Sequence, residues 1–325
     1  MVSSSKPIIS IIIPVKNGDT WLPKTLDAIL NQTLIAKAEI IVIDSGSTDN
    51  TLSILFKYPV RIIHIPSAEF NHGATRNLGV REAKGKYVVM TVQDAQPVNE
   101  NWLQHLLDGF IDETVAGVCG QQIVPHHKDK NPVDWFRPIS QPGKKKYYYP
   151  NPNDFVALNC EDKKRVCSWD NVNAMYKREA LMSFPFEEVM FAEDALWAKN
   201  ILLNGFSIVY NTTAQVYHYH YETPDFTFKR TFTTWYHMYK FFLVKPSMPQ
   251  NNVVSLLKNF KLLVGEKNLG FEEKIKWMIF NHRQRKAVKE AYSLFSTCLE
   301  KGEEYLVQKH DEVCKKAPQA IKPTI

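Results

Sequence analysis

Three short apolar runs in the first hundred residues each stop at polar groups. Residues 8–13 stop at Pro14-Val15-Lys16-Asn17, residues 39–43 at Asp44-Ser45-Gly46-Ser47-Thr48-Asp49, and residues 87–92 at Gln93-Asp94. Such runs read as buried strands. In an open parallel sheet, ligands bind beyond the carboxyl ends of the strands, so these polar groups face a crevice and not the core. Three of them along one edge describe a nucleotide site. Asp94 is the natural seat of a divalent cation, since Mg²⁺ and Mn²⁺ take oxygen ligands and bridge phosphate oxygens. The alternative role for Asp94 is to cap the turn towards Pro97.

Further groups lie beyond that edge. Glu193-Asp194 opens a helical pattern whose buried side includes Trp197, Ile201 and Leu202. Acids there are favoured by the helix dipole, and a carboxylate so placed can also serve as a general base. His218 and His220 alternate, so on an extended segment they project to one side, either into a site or into solvent beside Tyr217, Tyr219 and Tyr221. Asn71, Gly73 and Arg76 form a turn entering a helix. A glycine permits close backbone approach, and an arginine can clamp phosphate or stack on a base.

The elements that must carry these residues alternate. After the strand at 8–13 comes a helical pattern at 21–32, then a strand at 39–43 and a helix that Ser47 could cap and that Asp49 caps or braces. A strand at 60–65 leads to a helix near 74–83, and Lys84-Gly85 breaks the chain before the strand that ends at Asp94. This order implies an α/β fold with a mostly parallel, doubly wound sheet and helices on both faces. Residues 121–162 carry many prolines around Lys144-Lys-Lys-Tyr-Tyr-Tyr149 and read as loops that form lids or substrate walls. Pattern returns at 173–181, at a helix 194–204 closed by Gly205, and at a strand 207–210. From about residue 222 aromatics dominate and the remainder reads as helical. The expected organisation is one catalytic domain at 1–235, with a nucleotide-binding half to about 120 and an acceptor half after it. A helical C-terminal region at 236–325 follows, facing membrane or a partner.

The chain has 325 residues, 44% of them hydrophobic, enough for a large core. Its net charge of +6 is concentrated late, around Lys274, Lys276, Arg283, Arg285, Lys286 and Lys289, which is a local patch and not a nucleic-acid-binding surface. Trp277, Met278, Ile279 and Phe280 adjoin those cations as in interfacial helices, against the plainer reading of a solvated helix face. Five cysteines without paired metal-ligand spacing, and no N-terminal signal pattern, lead us to expect a reduced, cytoplasmic protein. No apolar run approaches membrane-span length, so membrane contact would be peripheral, at the inner face.

Five segments in order carry a resemblance: Ile11-Ile-Ile-Pro-Val-Lys-Asn17, Ile41-Val-Ile-Asp-Ser-Gly-Ser-Thr-Asp49, Asn71-His-Gly-Ala-Thr-Arg-Asn77, Gln93-Asp94 and Ala192-Glu-Asp194. They resemble glycosyltransferase family 2, with its GT-A fold. Phe70–Asn77, Gln93-Asp-Ala95, Asp170-Asn-Val-Asn173 and Val216-Tyr-His-Tyr-His220 look like the bacterial rhamnosyltransferase branch. The resemblance implies that Asp194 is the catalytic base with Glu193 beside it, and that Asp44 hydrogen-bonds the nucleotide base. It implies a donor site built from Pro14, Val15, Asn17, Asp44, Asn71, Gly73, Arg76, Gln93 and Asp94. It implies Mg²⁺ or Mn²⁺ on Asp94 with His218 or His220, and an acceptor-side loop at Trp169 and Asp170, where a core tryptophan is the other reading. The family's usual Asp-x-Asp is Val92-Gln93-Asp94 here, so its first acid is missing.

The function expected from this is inverting, metal-dependent transfer of a sugar, L-rhamnose from dTDP-β-L-rhamnose, to a lipid-linked saccharide in bacterial surface polysaccharide. The rivals are the same fold with a UDP-hexose donor and a nucleotide-sugar-binding protein without turnover. A nucleotidyltransferase lacks support, because no glycine-rich, lysine-containing loop follows the first strand. No nucleic-acid partner is expected, and the oligomeric state is left open.

Overall fold

The computed structural model describes residues 6–127, 129–135, 141–220, 222–249 and 253–314. The chain forms two compact units, Met1–Ile123 with Ser140–His218, and Val124–Ile139 with Tyr219–Ile325.

In chain order the first unit has β1 (Ile9–Val15), α1 (Leu22–Leu30), β2 (Ala38–Asp44), α2 (Thr51–Leu55), β3 (Arg61–His64), α3 (His72–Glu82), β4 (Tyr87–Thr91), β5 (Gln96–Pro97), α4 (Trp102–Leu107) and β6 (Val115–Ile123). After α5 (Pro132–Trp135), which belongs to the second unit, come β7 (Lys144–Tyr148), α6 (Pro152–Val156), α7 (Cys160–Val166), β8 (Asn173–Lys177), α8 (Arg178–Ser183), α9 (Glu193–Leu203) and β9 (Ser207–Tyr217). The strands form one sheet in the order β3-β2-β1-β4-β8-β6-β9-β5, with β7 also beside β9. The first four strands are parallel, as are β6 and β9; β8 runs antiparallel to both β4 and β6.

Both faces of the sheet are covered, which is why β1 and β2 read as continuous apolar runs. Ile9, Ile11 and Ile13 of β1 pack with Leu22, Leu26 and Ile29 of α1 and with Trp102 and Leu106 of α4. Ile12 points the other way, towards α3, so close that a Cβ on Gly79 would meet its Cγ2 at 2.6 Å. The period-two alternation of β1 is therefore hidden in composition and shows only in which helix each isoleucine meets.

The structure corrects the sequence reading at three points that matter for the site. Ser47 does not cap α2: its Oγ accepts the Asn17 N–H (2.9 Å), and Asp49 Oδ1 accepts the Thr51 N–H (3.0 Å) instead. The lysine-tyrosine stretch is not a loop but the strand β7, paired antiparallel with the start of β9. The strand beginning at Ser207 runs on to Tyr217 and delivers His218 to the site.

The second unit is helical, with α10 (Pro224–Phe242), α11 (Val253–Gly265), α12 (Phe271–Lys301) and α13 (Glu303–Cys314). Phe232 and Tyr236 pack with Phe295, Cys298 and Leu306, while Leu263, Leu269 and Trp277 form a smaller cluster. Trp277 is thus buried, and of the four apolar residues singled out beside the cations only Ile279 is well exposed. Other exposed apolar side chains here are Leu257, Phe260 and Val264 on α11 and Phe271 and Ile275 on α12. Among the described residues, no helix is long and apolar enough to cross a membrane.

Candidate active site

The ends of β1 and β2 are laced together by side chains. Asn17 sits at φ +51°, donates its N–H to Ser47, and accepts the Thr48 N–H on its own Oδ1 (2.8 Å). Pro14 and Val15 close β1, and the Val15 carbonyl accepts the Ser45 N–H (3.0 Å). Asp44 is buried at the end of β2; its carboxylate accepts the N–H groups of Gly46 (3.2 Å) and Ser47 (3.3 Å) and faces His64 Nδ1 at 3.5 Å. The Gln93 amide brackets the Lys16 peptide, accepting its N–H (3.0 Å) and donating to its carbonyl (3.2 Å). An ionised carboxylate could not do both. Val92, where the family has its first acid, packs against the main core cluster. Asp94 is the carboxylate that remains, in the turn between β4 and β5.

Asp94 and His218 come together across the sheet end: His218 Nε2 lies 3.6 Å from Asp94 Oδ1. That is too long for a good hydrogen bond and near the separation of two ligands on one cation, about 3 Å for bonds of roughly 2.0–2.2 Å. The pair is one hard oxygen and one imidazole nitrogen, a donor set that suits Mn²⁺ and accommodates Mg²⁺. His220 lies two residues further on, half-buried, in the opening residues of the second unit.

A chain of contacts leads from this pair to the Glu193-Asp194 pair. His218 Nδ1 is 2.6 Å from Gln122 Oε1, and Gln122 Nε2 donates to Asp170 Oδ2 (2.7 Å). The other oxygen of Asp170 accepts the Val172 N–H (2.9 Å) and the Asn173 N–H (3.3 Å). The next residue, Asn171, donates its backbone N–H to Asp194 Oδ2 (3.1 Å) and its side-chain amide to Glu193 Oε1 (3.0 Å). Trp169 is buried; its indole N–H donates to Tyr176 Oη (2.7 Å), and that hydroxyl donates in turn to Asn171. Trp169 therefore meets this network from the core side.

Glu193 and Asp194 differ sharply in setting. Burial pushes the Glu193 carboxyl up, but the Arg76 guanidinium, His72 and the Asn171 amide together bring it below the usual range. No cation among the described residues is paired with Asp194, and the Arg76 charge only partly offsets what raises it. Burial, then the Glu193 and Asp170 carboxylates, push it up to about 8 from an ordinary 3.8. Neighbouring carboxylates with separated proton affinities are what a general base beside a fixed anion requires. The residue before them, Ala192, holds φ +60° and ψ +34°, a left-handed conformation costing about 1–2 kcal/mol for a residue with a Cβ. Such local strain recurs at functional sites.

The segment 71–77 seats this pair. Asn71 caps α3 through the Gly73 and Ala74 N–H groups and donates its amide to the Val189 carbonyl (3.3 Å). A Cβ on Gly73 would fall 2.1 Å from the Glu187 carbonyl oxygen, so glycine is required for the approach. The Asn77 amide forms two hydrogen bonds with the Phe186 backbone (2.8 and 3.0 Å). Arg76 is buried and its Nη1 donates to Glu193 Oε1 (2.8 Å). Three side chains and one glycine of this motif thus grip residues 186–193.

Sequence reasoning missed Gln122 and gave Asn171 no role, although Asn171 lies inside a segment it quoted. Beside Gln122 and Asp170 a cleft of about 520 Å³ opens, lined also by Tyr147, Lys145, Arg165 and Tyr210.

Comparison with known proteins identifies relatives and the fold. Over 234 residues the chain is 36% identical to the O-antigen chain rhamnosyltransferase WbaN of Salmonella anatum, covering 70% of this chain and 71% of that one. It is 33% identical to the O-antigen chain rhamnosyltransferase RfbN of Salmonella typhimurium over the same extents. The fold matches a mannosyltransferase, PcManGT of Pyrobaculum calidifontis, solved with GDP-Man and Mn²⁺: TM-score 0.53, 18% identity, 97% of this chain and 86% of that one. The glycosyl transferase family 2 model matches residues 10–183, which takes in the laced strand ends, Asp94 and Asp170. With that span matched and the sheet laid out as in GT-A structures, the chain belongs to glycosyltransferase family 2 and is a glycosyltransferase.

Proposed function

We propose that the protein transfers L-rhamnose from dTDP-β-L-rhamnose to a lipid-linked saccharide of bacterial surface polysaccharide, with inversion at the anomeric carbon. The observation that carries the mechanism is the run from Asp94 and His218 through Gln122 and Asp170, and then through its chain neighbour Asn171, to Asp194. It supports a donor diphosphate at one end and a base at the other, as a single displacement needs. The donor sugar rests on the relatives' names, rhamnosyltransferases at 36% and 33% identity.

In this reading Asp44 receives the nucleotide base at the end of β2, while Pro14, Val15 and Asn17 form the wall beside it. Asp94 and His218 hold Mg²⁺ or Mn²⁺, with His220 as a third ligand on the strength of its alternation with His218. The cation, when bound, neutralises charge on the departing diphosphate. Asp194 takes the proton of the acceptor hydroxyl as the glycosidic bond forms, and Glu193 stays anionic on Arg76, which keeps Asp194 proton-hungry. Asn71, Gly73 and Arg76 serve the donor crevice from the same turn that seats the base. Asp170 and the cleft beside it receive the acceptor, where Tyr147 offers a ring for a sugar face.

The experiment is a panel of nucleotide sugars with purified protein and a lipid-linked acceptor, reading released nucleoside diphosphate and the product's anomeric configuration. Release of dTDP with an α-rhamnoside product is the expected result. Release of UDP from a UDP-hexose replaces the donor assignment, and no release with any donor favours a binding protein without turnover.

The second unit supports peripheral contact with an anionic membrane. Residues 253–290 hold five of the chain's six net positive charges, and α11 and α12 expose Leu257, Phe260, Val264, Phe271, Ile275 and Ile279. Apolar side chains among cations are what an interfacial helix presents to such a surface.

A further inference from the structure

We infer that Gln122 is a positioning residue that keeps the proton of His218 on Nδ1, so that the Nε2 facing Asp94 can ligate. The inference rests on the reading of Asp94 and His218 as cation ligands. A histidine can ligate only through a nitrogen without a proton, so the ring's tautomer determines whether Nε2 is available. Nothing within His218 fixes this; in a free neutral side chain the proton prefers Nε2, which is the wrong atom for a cation between His218 and Asp94.

The contacts around Gln122 settle the choice. Asp170 Oδ2 lies 2.7 Å from one terminal atom of the Gln122 amide, and a carboxylate oxygen accepts. That atom must therefore be the NH₂ group. Turning the amide over would set two oxygens against each other at the same distance. With the NH₂ on Asp170, the amide oxygen faces His218 Nδ1 at 2.6 Å, and an oxygen facing a ring nitrogen requires that nitrogen to carry the proton. Asp94 Oδ1 also faces the ring, but from 3.6 Å, too far for a good hydrogen bond; the 2.6 Å contact therefore holds the proton on Nδ1 and leaves the Nε2 lone pair for a cation. Asp170 is itself anchored through its other oxygen by two backbone N–H groups, so the orientation starts from the main chain of β8 and its approach.

The Gln122 side chain bridges two partners, His218 and Asp170, and Asp170 keeps its two backbone N–H donors when Gln122 is replaced. Gln122 lies near the end of β6 with an exposed side chain, while His218 is about 10% exposed. Replacing it disturbs the histidine's outer partner and leaves the core alone.

The test reads the proton directly. Long-range ¹H–¹⁵N spectra of the metal-free, full-length chain, at a pH where the ring is neutral, should show His218 protonated on Nδ1. Gln122→Leu should return the proton to Nε2 and weaken Mn²⁺ binding, measured by titration of Mn²⁺ alone, by about 10- to 100-fold. Gln122→Glu keeps an acceptor for Nδ1–H when its other oxygen shares a proton with Asp170 Oδ2, and in that state it should retain the wild-type tautomer. A wild-type His218 protonated on Nε2, or a Gln122→Leu protein that keeps the Nδ1 proton, overturns the inference. Mn²⁺ titration of Asp94→Asn separates the two claims: unchanged binding removes the cation reading, whereas the tautomer spectra still judge Gln122.

Discussion

Replacing Asp194 by Asn should make the enzyme slower and, above mildly acidic pH, more stable. The carboxyl is pushed from 3.8 to about 8 by burial and by Glu193 and Asp170, so between those values the folded chain holds a proton that the unfolded chain has lost. A raised acid contributes stability fully below its unfolded value and loses it as pH rises towards the folded one. The wild type therefore loses up to about 1.4 kcal/mol per pH unit across this window, and the non-titrating Asn variant loses none of it. From pH 5 to pH 7 the gap should widen by about 1–3 kcal/mol, the lower figure allowing for a proton shared with Glu193. For a unit of this size that is a relative rise of about 3–10 °C in Tm. Asn offers one oxygen where Asp offers two, so either the Asn171 or the Ala195 N–H loses its acceptor, at about 1 kcal/mol. That offset moves the curve without changing its slope. Urea unfolding of both proteins followed by tryptophan fluorescence from pH 5 to pH 8 measures the slope. Turnover measured alongside should fall by about 100-fold or more, with donor affinity little changed. A gap that stays flat across the range would refute the argument, since Asp194 would then be ionised in the fold at every pH tested.

Other consequences are open to simpler measurements. Asp94→Asn should abolish transfer at saturating Mn²⁺ while the circular dichroism spectrum stays that of wild type; near-normal turnover removes Asp94 from the cation site. Ala192→Gly should raise stability by about 0.5–1 kcal/mol in urea titrations, because glycine holds φ +60° without a Cβ clash, whereas Ala192→Val should lower it by more than that. Wild-type turnover should climb with pH towards 8 as Asp194 loses its proton, and a profile flat from pH 6 to pH 8 contradicts the base assignment. Paired Phe260→Glu and Ile279→Glu changes in the full-length chain should reduce co-sedimentation with anionic vesicles, as should high salt; equal sedimentation in all conditions means this face is merely solvated.

How much of this could be read in advance divides along physical lines. The strand-end acids were legible because a short apolar run that stops at a carboxylate is a local signal, and Glu193-Asp194 was legible as a helix start. Lys144–Tyr148 was not, because its lysines suit an exposed strand and a loop equally, and only pairing with β9 decides. Gln122 was invisible for another reason. Its role depends on His218, 96 residues away, and a glutamine carries no chemical signature until its two partners are known. Trp277 misled because an aromatic beside lysines looks interfacial, whereas its contacts are Leu263 and Leu269. Ser47 failed as a cap because Asn17, from a different loop, claimed its hydroxyl.

The grip of residues 71–77 on residues 186–193 bears on how such enzymes can be recombined. On the proposed division into a donor half and an acceptor half, a chimera taking one from each of two relatives would be cut near residue 120. That cut places Asn71, Gly73, Arg76 and Asn77 in one parent and their partners Val189, Glu187, Glu193 and Phe186 in the other. A donor-half exchange must therefore carry the strip 186–193 with it, as an island inside the acceptor half. The modular boundary of this enzyme follows contact and not chain order.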